Sequence, residues 1–225
     1  MTEIDEIPER IFRMASDALT QANTHAIFDG PGVEHWANMS ILDAAHAGEL
    51  FLKAVIAQAH PLLIFRDLFS LDKSAQEPLD LRQVIEHGRT YNLEHLPKLL
   101  WVVHGERLPD LDSFEELRKA RNAIQHFCAP DIDRPGDLSL TFLYRNIDPL
   151  IKRHFSVDAV NFVAEDEQDY LIEQLVRLEL CFSSSGVIEI SEFDVSKALE
   201  TVSVPYRRKI ERQLCQYQHD PSNMR

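Results

Sequence analysis

SFEELRKARNAIQHF, residues 113–127, decides how this chain is read. The stretch has no glycine or proline. It opens on a capping box, in which Ser113 accepts from a free backbone N–H while Glu116 reaches back to the cap. Leu117, Ala120, Ile124, Phe127 and Cys128 then share one arc of about 100°, the width of a core-facing stripe. Asn122 and His126, four residues apart, stand one above the other on the side turned away from that stripe. The spacing predicts a helix with a buried face and a polar face. Arg118, Lys119 and Arg121 put three cations into four positions beside the histidine.

That basic cluster sits in an acidic chain. Its 225 residues, 44% of them hydrophobic, can bury a sizeable core, and 37 acidic against 23 basic side chains leave a formal net charge of −14. Such a surface repels nucleic acid as a whole, so any polyanion site has to be local. The N-terminal MTEIDEIPER is acidic where a secretory signal is basic and then apolar, and no stretch approaches the roughly 18 apolar residues of a membrane span. The expectation is a cytoplasmic protein with no membrane partner. Cys128, Cys181 and Cys215 are odd in number and form no CxxC pair, which reads as reduced thiols rather than a disulfide framework or zinc ribbon. Ten histidines contain no HExxH, and His46 and His60 are too far apart along one helix to share an ion. Neither a metal nor another cofactor is expected.

Working outward, helical periodicity dominates. Ile7, Ile11, Ala15, Ala18 and Ala22 fall at helical spacing before the loop-like FDGPGVE of 28–34. Residues 36–60 place Ile41, Ala45, Gly48, Leu52 and Val55 on one side and His46, Glu49, Lys53 and His60 in a polar stripe on another. DKSAQEP, 72–78, is turn-like. A short helix follows around 81–88, then one over 92–104 with Pro97 near its first turn. Residues 130–136 form the clearest loop. Leu140, Leu143, Ile147, Leu150 and Ile151 suggest helix, interrupted or restarted near Pro149, and 167–182 is helical again. SSSG, 183–186, reads as a linker, and VIEISEF, 187–193, is too short to separate strand from buried helix. Tyr206, Ile210, Leu214 and Tyr217 suggest a terminal amphipathic helix carrying Arg207, Arg208, Lys209 and Arg212, cations that usually form a solvated face. The reading is an all-α helical domain over 1–155, with its core in 36–155, and a C-terminal helical extension, with a short β element allowed, over 156–225.

A polar helix face needs no function, since surface charges are common. The sharper reading starts from chemistry: a histidine moves protons near neutral pH, an arginine holds a phosphate and stabilises its charge, and an asparagine amide orients either. Together they are parts for cutting RNA without a metal. RNAIQH, Arg121 to His126, resembles the Arg-x(4–6)-His signature of the HEPN superfamily, in which a polar residue, often Asn, follows the Arg. AAHAGELFLKAVI, 44–56, is similar to that family's earlier helix with its Glu and Lys, and DLSLTFLYRNIDPLIKRHF, 137–155, supplies a helix after the motif.

The resemblance implies an all-α antiparallel bundle that dimerises, with Arg and His from two subunits meeting in one cleft that cuts single-stranded RNA. It assigns Arg121 to the scissile phosphate, Asn122 to positioning, and His126 to acid–base work on the ribose 2′-hydroxyl and leaving oxygen. Arg118, Lys119, Glu49 and Lys53 would contact substrate, although Glu49 and Lys53 equally suit a plain helix ion pair. The partners implied are RNA, a second copy of the chain, and an antitoxin or regulatory protein if it acts as a bacterial toxin or anti-phage effector. The alternative is a non-catalytic HEPN module that dimerises or binds a nucleotide or protein partner. A plain helical scaffold is a third reading.

Overall fold

A computed structural model describes residues 3–28, 34–67, 81–128, 131–190 and 194–216. The loops expected at 28–34 and 72–78, and Tyr217, fall wholly or largely outside these residues. The class is all-α. Ten α-helices are described: α1 (Ile7–Ile27), α2 (Glu34–Ala59), α3 (Leu81–His87), α4 (Leu96–His104), α5 (Leu111–His126), α6 (Pro135–Phe142), α7 (Asp148–Phe155), α8 (Gln168–Arg177), α9 (Asp194–Thr201) and α10 (Val204–Ile210). Two three-residue strands, β1 (Ile188–Ile190) and β2 (Leu214–Gln216), pair in parallel.

α2 is the axis of the fold. Ile41, Ala44, Phe51, Leu52, Val55 and Ile56 are fully buried although they point in several directions round the helix, so neighbours must enclose it. α1 lies antiparallel along it, with Phe12 against Phe51 at one end and His25 bonded to Asp43 at the other. α6 and α7 run beside it in the same direction as α2: Ser40 and Ser139 share a hydrogen bond of 2.9 Å, and His154 lies by Gln58. α5 returns against α6, with Phe114 on Phe142 and Ser113 bonded to Asn146.

Between α6 and α7 the chain passes through a single π-helical stretch, Leu143–Ile147. Pro149 explains it: proline has no N–H to give and its ring crowds the carbonyl four residues back. Widening the turn ahead of the proline lets 135–155 run on as one long element. The interruption expected near Pro149 is therefore a change of helical pitch.

Three sequence expectations need correction. SSSG is no free linker: two buried aspartates on or just after α7 pin it, Asp148 accepting from the Ser183 N–H at 2.7 Å and Asp158 from the Ser185 N–H at 2.8 Å. The terminal helix stops at Ile210, and Leu214 enters β2, where it pairs with Ile188. The expected 167–182 helix ends at Arg177, after which Glu179 takes a left-handed φ of 50°. The hydrophobic core nevertheless continues as one cluster from Ile7 to Ile210.

Close backbone approach fixes how α6 begins. A Cβ on Gly136 would lie 2.5 Å from the carbonyl oxygen of Ala26, at the end of α1. Backbone cannot yield as a side-chain tip can, so Gly136→Ala should lower stability in urea melts by about 1–3 kcal/mol. Gly186→Ala, where an added Cβ meets nothing within 4 Å, should change stability by no more than about 0.5 kcal/mol.

Candidate functional site

The helix carrying the motif starts earlier than the capping box predicts. Asp110, not Ser113, is the N-cap of α5, and its carboxylate accepts from the Ser113 N–H at 3.0 Å. The serine is buried instead, donating to the Asp110 carbonyl and accepting from the Asn146 amide. Asn146 also takes the Asp110 N–H and donates to the Asp110 carbonyl, both at 2.9 Å. Arg145, its neighbour on the π turn, reaches the other side of the Asp110 carboxylate at 2.8 Å. The Arg145 hydrogen bond, then the Ser113 N–H, hold that carboxyl below its ordinary 3.8.

Along α5, Phe114, Leu117 and Ala120 face the core as the spacing requires. The stripe then fails. Ile124 is half-buried but still packs against the core, whereas Cys128 is exposed and Phe127 is 90% exposed. The helix ends at His126, and Phe127 leaves the helical path with φ −144° and ψ −76°, so positions extrapolated at 100° per residue no longer point to the core.

The motif itself lies on the outer side of this last stretch. Arg121 and Asn122 are half-buried and bonded to each other, the guanidinium donating to the Asn122 side-chain oxygen at 3.0 Å. That bond fixes the amide and leaves its NH2 and the other guanidinium donors without a hydrogen bond among the described residues. His126, one turn beyond Asn122, is exposed and has no hydrogen bond or ion pair among the described residues. No contact joins it to Arg121 within one chain.

The remaining predicted residues divide. Lys119 is exposed and unpaired among the described residues. Arg118 is tied to Glu115 at 2.8 Å and approaches Glu94 at 3.8 Å. Lys53 is 7% exposed and donates to Glu49 at 2.6 Å and to the Thr90 hydroxyl at 3.0 Å. A buried ammonium needs such partners, and removing one is expensive. The Glu49–Lys53 pair thus fastens α2 to the segment before α4, and among the described residues no hydrogen bond or ion pair links it to Arg121 or His126. His46 is exposed, while His60 lies beyond α2 and accepts from the Leu62 N–H.

Two hollows flank the N-terminal half of α5. A groove of about 480 Å³ between α4 and α5 is lined by Lys98, Trp101, Arg107, Leu111 and Glu115, with Arg107 over the Trp101 ring. On the other side, a cleft of about 610 Å³ is lined by Asp110, Arg145, Cys181 and Lys209 among others. Sequence reading missed this second constellation. Asp110, three residues before Ser113, had a readable capping signal, and Pro149 marked an interruption, but nothing in the sequence told which side chain the π turn would present. Among the described residues no three His, Cys, Asp or Glu side chains gather as metal ligands, and no helix is long and apolar enough to cross a membrane. No protein-family model, curated protein or solved structure matches the chain.

The Asp110 junction gives a test of how α5 is held. Asp110→Ala removes the cap and should cost about 1 kcal/mol or more in denaturant melts. Asp110→Asn keeps a capping oxygen but loses the charge on Arg145. Because the folded carboxyl sits below its ordinary value, its ionic contribution is present above that value and is lost as pH falls through the lower, folded one. The gap in stability between wild type and Asp110→Asn should therefore be largest near neutrality and close in acid.

Proposed function

We propose that this chain is a HEPN-type endoribonuclease that cuts single-stranded RNA without a metal, at a site shared by two copies of the chain. The observation that carries the reading is the pairing of Arg121 with Asn122 on the outer side of α5, one turn from an exposed His126 that has no partner among the described residues. A histidine that moves protons must be accessible and not consumed by an internal partner. Arginine's fork offers several donors to a phosphate, and one spent on Asn122 leaves the rest.

In the reaction, a base takes the proton from a ribose 2′-hydroxyl and the freed oxygen attacks the adjacent phosphorus. The bond to the 5′ oxygen then breaks as that oxygen takes a proton. The products are a 2′,3′-cyclic phosphate and a 5′-hydroxyl. His126 moves one of these protons, Arg121 stabilises the phosphorane charge, and Asn122 positions the phosphate. A second α5 facing the first brings another histidine to the site, which answers the lack of Arg121–His126 contact within one chain. Lys119 adds the local positive charge that an acidic surface otherwise denies to RNA. A bacterial toxin or anti-phage effector, restrained by an antitoxin or regulatory protein, is the role such an activity fits.

The second reading is a non-catalytic HEPN module that dimerises or binds a nucleotide or protein partner. The commitment of Arg118 and Lys53 to internal carboxylates favours it, since both are withdrawn from substrate.

Purified protein in excess EDTA should cut single-stranded RNA to cyclic phosphate ends and leave DNA intact for want of a 2′-hydroxyl. Light scattering should show a homodimer. His126→Ala and Arg121→Ala should each lose on the order of 10²-fold or more in rate while circular dichroism and light scattering show them folded and dimeric. Cleavage that needs added metal, undiminished cleavage by His126→Ala, or full activity in a monomer would sink the catalytic assignment. A folded dimer that neither cuts RNA nor arrests growth when expressed would leave the binding module.

A further inference from the structure

The 610 Å³ cleft between the α5 cap, the π turn and residues 179–183 lies apart from the motif face and within the size range of small-molecule sites. We propose that this cleft binds a small organic anion, its charged head held by Arg145 and Lys209 and its apolar body against Pro109, Pro149 and Leu180.

The charges in the cleft are not equivalent. Its three carboxylates already have donors: Asp110 is held by Arg145 and the Ser113 N–H, Asp148 by the N–H groups of Ala159 and Ser183, and Glu179 by the N–H and hydroxyl of Ser203. Its cations are less committed. Among the described residues Lys209 reaches only the Cys181 sulfur, at 3.1 Å, and a thiol is a weak acceptor for an ammonium with three donors. Arg145 spends one nitrogen on Asp110 and is about half exposed, leaving further donors of its fork free. The donors with capacity to spare in the cleft are therefore those of Arg145 and Lys209, and an anion that reaches both uses it.

The backbone shows the same bias. π turns are rare and recur at functional sites. Here the turn buries Asn146 against the α5 cap while its neighbour Arg145 stays exposed on the cleft wall. The two sources of such a head, a phosphate ester and a carboxylate, share this chemistry. The proposal does not depend on RNA cleavage, and its test reads binding alone.

Calorimetric titration of the full chain with phenyl phosphate, benzoate, phenol and benzylamine separates the possibilities. One or both anions should bind with one site per chain, and which of them does so identifies the head group. Phenol should bind at least about tenfold more weakly, as expected for loss of charge-assisted hydrogen bonds, and added salt should weaken the anions. Lys209→Gln and Arg145→Gln should each cost about tenfold in anion affinity, with the circular dichroism spectrum unchanged. The bound anion should also slow alkylation of Cys181 by iodoacetamide and leave that of Cys128 unchanged, read by peptide mass spectrometry. Neither anion binding, tighter binding of benzylamine, full affinity in Lys209→Gln, or unprotected Cys181 would each overturn the proposal.

Discussion

Everything in this fold answers to the enclosure of α2. A helix whose apolar side chains point in several directions cannot rest on one partner, so α1, α4, α5 and α6 all pack on it. Close packing has local consequences. At Gly48 an added Cβ would come 2.5 Å from the tip of the buried Phe142 ring, so a larger residue there would have to displace that ring. Burial also turns Lys53 from a surface cation into one that needs a counter-charge, which Glu49 supplies while the Thr90 hydroxyl accepts a further hydrogen bond. The Glu49–Lys53 part of the α2 stripe is thereby spent on structure.

The second constraint is Pro149. Carrying a proline through a 21-residue helical run requires a local change of pitch, and the π turn at 143–147 supplies it. Asn146 is buried by this change and satisfies both backbone groups of Asp110. Asp110 caps α5, so a proline on one helix sets how an earlier, neighbouring helix is held at its start. Each bond is modest, about 1 kcal/mol for a typical internal hydrogen bond. Leaving the buried Asn146 unpaired would cost more than making the bonds gains, which is why the junction is fully connected.

Much of this was legible in the sequence, and what was not has identifiable physical causes. Periodicity located α1, α2, α4 and α5 because each has an apolar face at 3.6-residue spacing long enough to dominate its ends. It misplaced the start of α5, since Ser113 and Asp110 are both capping residues and only the tertiary partner Asn146 decides between them. It carried the core stripe on to Phe127 because extrapolation assumes the helix continues, whereas the backbone leaves it at that residue. SSSG read as a linker because serine composition says nothing of Asp148 and Asp158, which reach it from 27 to 35 residues away in the chain. The motif face was legible as a helical face. The Arg145–Lys209 cleft was not, because it is assembled from segments that meet only in the fold.

Charge gives the last step. In a chain of net charge −14, cations with donors to spare are informative, and the two sites described hold one pair each: Lys119 with Arg121 on α5, and Arg145 with Lys209 in the cleft. α5 separates these places, since Arg145 is bonded to its cap while His126 is its last residue. Sixteen helical residues span about 24 Å at 1.5 Å each, against a Debye length of about 8 Å at physiological salt. A charge gained or lost in the cleft is therefore largely screened from His126. The two places are electrostatically separate and share only the rigid helix between them, so chemistry assigned to one neither supports nor weakens that assigned to the other.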